Sequence, residues 1–88
     1  MDIDFKIIKS KQSLMERLKQ IFNFPNYFGY NFDALEECLN DYCKNNYKLT
    51  IKNINKINPE LKDDFIKLLE ILGTFNTEHK NKITVLVC

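Results

Sequence analysis

The sequence predicts an α/β fold in which a three-stranded parallel sheet is covered by three to four helices. Three observations predict it. Three segments read as strands, and the stretches between them space their apolar residues three and four apart, the helical interval. Strands joined through helices need crossover connections, and crossovers build parallel sheets of right-handed topology. Finally, 88 residues leave room for one domain, residues 1–88, around one core.

The first strand is read from Ile3, Phe5 and Ile7, which alternate with Asp4 and Lys6. Ser13-Leu14-Met15-Glu16 has the form of a capping box, so a helix is expected to open there. Leu14, Leu18, Ile21 and Phe22 carry it to about Phe22. Pro25 and Gly29 then interrupt the pattern and mark a loop, with glycine free to take backbone angles closed to other residues. Asn31 is a good cap for the second helix, whose Phe32, Leu35, Leu39 and Tyr42 form one stripe. Tyr47, Leu49 and Ile51 alternate with Lys48, Thr50 and Lys52 as the second strand. Asn58 and Pro59 suit the cap and first residue of a third helix, lined by Leu61, Phe65, Leu68, Leu69 and Leu72 and expected to stop at Gly73. Thr74 to Lys82 is expected to be irregular. Ile83 to Val87 closes the chain as a largely buried strand.

Hydrophobic residues at 44% and charged residues at 28% match a soluble domain that folds unaided. No apolar run approaches the roughly 20 residues that span a bilayer, so no membrane association is expected. The opening Met1-Asp2-Ile3-Asp4 reaches Lys6 without the apolar stretch of a secretory signal. Cys38, Cys43 and Cys88 are odd in number and lack C-x-x-C or paired metal spacing, which suits free thiols in a reducing compartment. A cytoplasmic protein without metal or cofactor is the resulting expectation. The net charge of +1 argues against general attraction to nucleic acid. Its distribution is more informative: no Lys or Arg lies between Gln20 and Cys43, while Asp33, Glu36, Glu37 and Asp41 all do.

The residues for catalysis are scattered. His79, the one histidine, sits in the charged stretch Glu78-His79-Lys80 without the partner that triad-like chemistry demands. Cys38 falls between the faces of its helix and reads as a small, partly buried residue. Neither Gly29 nor Gly73 belongs to a phosphate-cradling motif, and no enzyme is expected. At about 100° per residue, Asp33, Glu37 and Asp41 share the stripe opposite the apolar one, with Glu36 beside them. Carboxylates in a first turn favour any helix through its dipole, so Asp33 and Glu36 alone need no function. Four acids without a nearby base, preceded by an aromatic loop, instead form a docking surface for a basic partner. The acids steer and orient it, and the aromatic rings supply contact area. Within the loop, Phe24 and Phe32 read as plugs between helices, whereas Tyr27 and Tyr30 suit a packing role and a contact role equally.

The run Phe24-Pro25-Asn26-Tyr27-Phe28-Gly29-Tyr30-Asn31-Phe32-Asp33-Ala34-Leu35-Glu36-Glu37-Cys38-Leu39 resembles the signature of the barstar family, intracellular inhibitors of the ribonuclease barnase. The order of strands and helices is similar over the whole chain. The resemblance implies a cytoplasmic, monomeric inhibitor without catalysis or cofactor. It would bind a basic ribonuclease, or the ribonuclease domain of a toxin, one to one and occlude its active site. It further implies that Tyr27, Gly29, Asn31 and Asp33 are contact or loop residues of the binding surface, and that Glu37 takes the place of the central Asp entering the enzyme's phosphate site. Phe28 stands where the family has a second Tyr, and Glu36 and Tyr42 where it has Trp. Asp41 lies nearer the rim. The acid that the family carries on its last helix has no direct match, with Glu70 and Glu78 as loose candidates. The alternative is an immunity or interaction module that uses the same surface on a basic protein other than a nuclease.

Overall fold

The computed structural model describes all 88 residues. The chain runs β1 (Asp2–Asp4), α1 (Lys11–Phe22), α2 (Phe32–Tyr42), β2 (Tyr47–Lys52), two 3-10 turns (Ile54–Lys56 and Pro59–Leu61), α3 (Lys62–Glu78) and β3 (Ile83–Val87). The strands lie in chain order with β2 central, and both pairings are parallel. Crossovers of one hand between successive neighbours place every connecting helix on the same face of a sheet. Ile3, Leu49, Ile51 and Ile83 are accordingly buried in one cluster with Leu14, Leu18, Leu35, Leu39, Leu68 and Leu72 of the three helices. Lys48, Lys52, Thr84 and Leu86 alternate with them onto the other face and are exposed.

Both outer edges of the sheet are guarded by side chains from the helices. Arg17 of α1 donates from Nε to the Asp2 carbonyl at 2.8 Å. Asn76 of α3 donates to the Ile83 carbonyl at 2.6 Å and accepts from the Ile83 N–H at 2.9 Å, as a neighbouring strand would.

Five sequence expectations change, the first at the third helix: Asn58, whose Oδ1 accepts from Glu60 N–H at 3.0 Å, caps the 3-10 turn Pro59–Leu61, and the α-helix itself opens at Lys62. β1 ends at Asp4, because Asp4 Oδ1 accepts from Lys6 N–H at 3.0 Å and Asn53 Nδ2 at 2.8 Å and turns the chain. Phe5 stays buried, Ile8 takes the next inward place, and Ile7 is 69% exposed. α1 opens at Lys11 with Ser10 as its cap, and the capping box pairs Ser10 with Ser13 through reciprocal bonds of 3.1 Å. Glu16 therefore lies beyond the box, where it accepts from Gln12 Nε2 at 3.4 Å. α3 passes straight through Gly73 to Glu78, because continuing the helix buries Phe75 on the stripe of Leu68, Ile71 and Leu72. Burying a Phe side chain gains about 1.5–3 kcal/mol, more than the ~1 kcal/mol that a helical glycine costs. In β3 only Ile83 is buried. The strand lies at an edge of a sheet covered on one face, and Leu86, on the open face, is 52% exposed.

Candidate functional site

α2 is anchored through Leu35, Cys38 and Leu39, all buried. Its start is fixed by Asn31, whose Oδ1 accepts from Ala34 N–H at 2.8 Å while its Nδ2 donates to the Gly29 carbonyl at 3.2 Å. That anchoring turns the opposite stripe to solvent. Asp33, Glu36, Glu37 and Asp41 are all exposed, and none makes an ion pair or a side-chain hydrogen bond. Asp33 suits the helix start. Asp41 lies at the opposite end, where the dipole disfavours an anion, and the successive i,i+4 spacings set like charges one turn apart. Their field reaches inward: burial first, then Asp41 and Glu37, push the Cys38 thiol above its ordinary pKa. Cys38 is therefore held as a neutral thiol.

The loop before α2 is built on aromatic packing. Phe22 and Phe24 stack with ring centroids 5.5 Å apart, Phe24 meets Phe28 at 5.1 Å, and Phe28 meets Tyr30 at 5.3 Å. Phe28 is only 2% exposed, which corrects its assignment as a contact residue: its ring supports the loop from below. The turn closed by Phe28 N–H donating to the Pro25 carbonyl at 3.0 Å then lifts Tyr27 outward, 71% exposed. Tyr27 is hydrogen-bonded through its hydroxyl to that of Tyr42, itself 39% exposed at the far end of α2. The two tyrosines bridge the loop and the last turn of α2. The left-handed backbone expected at Gly29 falls instead on Tyr30, with φ 54°. Gly29 itself has no positive φ, and a Cβ there would lie in van der Waals contact with Ala34 Cβ and Asn31 Nδ2, each at 3.4 Å.

A groove of about 100 Å³, not foreseen from the sequence, runs between α2 and α3 beside the stripe. Glu36 and Asn40 form one wall and Thr74 and Glu78 the other, over Leu39, Ile71 and Phe75. Nearby, His79 Nε2 donates to Asn40 Oδ1 at 2.9 Å while its ring stacks on Phe75 at 4.3 Å. His79 thus ties the end of α3 to α2. Of the two acids considered on α3, Glu78 lines this groove and Glu70 does not. Thr74, Phe75 and Glu78 of the groove lining all lie beyond Gly73, the residue at which the sequence predicts the helix to stop.

No helix is long and apolar enough to cross a membrane. The three cysteines are free, Cys38 and Cys43 buried and Cys88 exposed. Among known proteins, the chain is 28% identical over 85 residues to a Bacillus subtilis (strain 168) protein named "Putative ribonuclease inhibitor YrdF", an alignment that covers 97% of this chain and 93% of the relative. A sequence profile described as Barstar (barnase inhibitor) matches residues 1–88. The profile match from end to end of a parallel α/β scaffold places the chain in the barstar family of inhibitors, which are not enzymes.

Proposed function

We propose that this protein inhibits a basic ribonuclease, one to one, by seating the acidic stripe of α2 and the Tyr27 loop in the enzyme's active site. The observation that carries the reading is the row of four exposed carboxylates that the fold leaves without a counter-charge, flanked by exposed Tyr27 and Tyr42. A ribonuclease site is cationic because it binds phosphates and stabilises charge at phosphorus, so a carboxylate held at the phosphate position makes the same charge-assisted bonds. Glu37, midway along the stripe, takes that position. Asp33 extends the row toward the loop, and Asp41 extends it toward the rim. Asn31 and Gly29 shape the loop, and Glu36 and Glu78 carry the acidic surface across the groove onto α3. Tyr27 and Tyr42 supply apolar area with little entropy to lose, since each is already ordered by the other. The ribonuclease is a separate enzyme or a domain of a toxin, and its inhibitor works in the cytoplasm, where its free thiols stay reduced.

The test is RNA cleavage by barnase at rising concentrations of this protein, with the size of the complex measured in parallel. Cleavage should fall to the background at one equivalent. Undiminished cleavage at saturation of a demonstrated complex moves the protein to the class of interaction modules for basic proteins that are not nucleases.

A further inference from the structure

The loop that carries Tyr27 is gripped from behind by a side chain outside the docking surface. Lys19, in the last turn of α1, donates from Nζ to Asn26 Oδ1 and to the Tyr30 hydroxyl, each at 3.3 Å. Its ammonium lies 5.7 Å from the Tyr30 ring centroid. Tyr30 holds a left-handed backbone, which a residue with a Cβ adopts only when its surroundings enforce it. Three surroundings do so here: the Phe28 ring beneath, the Asn31 Nδ2 bond to the Gly29 carbonyl that spans Tyr30, and Lys19 at the hydroxyl. Without Lys19 the hydroxyl end of Tyr30 is released, and a return of Tyr30 toward negative φ swings the segment from Asn26 to Gly29 relative to α2. We infer that Lys19 is a positioning residue of the docking loop, fixing the orientation of Tyr27 through Asn26 and Tyr30. The binding consequence rests on the docking role proposed above, whereas the conformation of the free loop does not.

Charge and positioning predict opposite signs. A basic partner is repelled by Lys19, so if Lys19 is only a surface cation, its removal speeds association and tightens the complex, most of all at low salt. If it positions the loop, its removal divides the loop among several conformers, and apparent affinity falls by the competent fraction. Lys19 also complements the negative end of the α1 dipole, but that contribution acts on the stability of α1 and leaves the backbone of Tyr30 alone.

The experiment compares the full chain with Lys19→Met and Lys19→Arg, the latter keeping both charge and donors. In the free protein, NMR follows the strong amide-to-Hα contact that positive φ produces at Tyr30, and the exchange protection of the Phe28 amide. Both should weaken in Lys19→Met and persist in Lys19→Arg, with thermal unfolding as the control for the fold. Tyr30→Phe removes only the hydroxyl that Lys19 meets, and should loosen the Phe28 amide in the same direction if Lys19→Met unfolds. Against barnase, Lys19→Met should lose about tenfold in affinity, chiefly in the association rate, and Lys19→Arg should recover it. Unchanged loop signatures in Lys19→Met, or tighter binding at low salt, overturn the inference. Should the unmodified protein fail to bind barnase, the ribonuclease reading fails for that enzyme while the free-protein signatures still decide the role of Lys19.

Discussion

Glu37 has Asp33 one turn before it and Asp41 one turn after, and no cation answers any of the three. In a complex with a cationic site, Glu37→Gln leaves the enzyme's charges buried without a partner, so affinity should fall by roughly 3 kcal/mol or more. Fold stability should move by less than about 0.5 kcal/mol, because the carboxylate is exposed and unbonded. Binding titrations paired with thermal melts separate the two. A carboxylate of the opposite kind is Asp4, whose charged form is held first by Asn53 Nδ2 and then by the Lys6 N–H, setting its pKa below the usual 3.8. A lowered folded pKa means that the ionised group contributes stability above 3.8, which is lost as pH falls through the folded value. Melts across the acid range should therefore show a flatter acid limb in Asp4→Asn than in the unmodified chain. At this scale the acidic stripe was legible, since helical spacing alone sets its face. Which loop aromatics face outward was not: Tyr27 and Phe28 are adjacent and equally apolar in body, and only the turn at Pro25 decides between them. Nor could the sequence place the left-handed residue at Tyr30, because Gly29 beside it is the residue that conformation ordinarily favours.

Elements were legible where their signals were local. The cap at Asn31 and the alternation of Tyr47 to Ile51 appear where the residues predict them, and in α3 the predicted Leu68 and Leu72 are buried together with Ile71 and Phe75. Boundaries failed where a local signal competed with burial. The spacing points to Ser13 as the cap, yet Ser13 is the third residue of α1, because Ser10 offers the same hydroxyl one turn earlier. Gly73 has the local character of a stop, yet it sits in the exposed middle of α3 with nothing within 4 Å of where a Cβ would stand. Gly73→Ala should accordingly stabilise the protein by about 0.5–1 kcal/mol, through the backbone freedom that glycine loses in a helix. Denaturant melts measure it, and a destabilised Gly73→Ala would show that α3 needs the glycine where the helix as described does not. The groove is not legible in the sequence for the same reason: a helix that stopped at Gly73 would bring neither Phe75 nor Glu78 against α2.

For the molecule as a whole, net charge and local charge make opposite predictions about how it meets a basic partner. The total is +1, from thirteen Lys and Arg against twelve Asp and Glu, and two cationic bodies should associate faster as salt screens their repulsion. Yet four of the acids and none of the cations lie between Gln20 and Cys43, the segment that forms the proposed docking face. The molecule measures 31 × 26 × 20 Å, while the Debye length is about 10 Å at 0.1 M salt, so a partner nearing α2 feels the stripe and not the cations of the far side. Lys44 lies just beyond the end of α2, but its ammonium donates to the Asn40 carbonyl at 3.2 Å and forms no ion pair with Asp41. The association rate with a basic ribonuclease should therefore fall as salt rises, against the sign of the net charge. Asp41→Asn, at the rim of the face, should lower that rate and flatten its salt dependence while leaving dissociation nearly unchanged. Stopped-flow mixing between about 0.01 and 0.1 M salt reads both, across which the Debye length shortens from about 30 to 10 Å. A rate that rises with salt would mean that the total charge governs the encounter, and the acidic stripe would then be an ordinary solvated face.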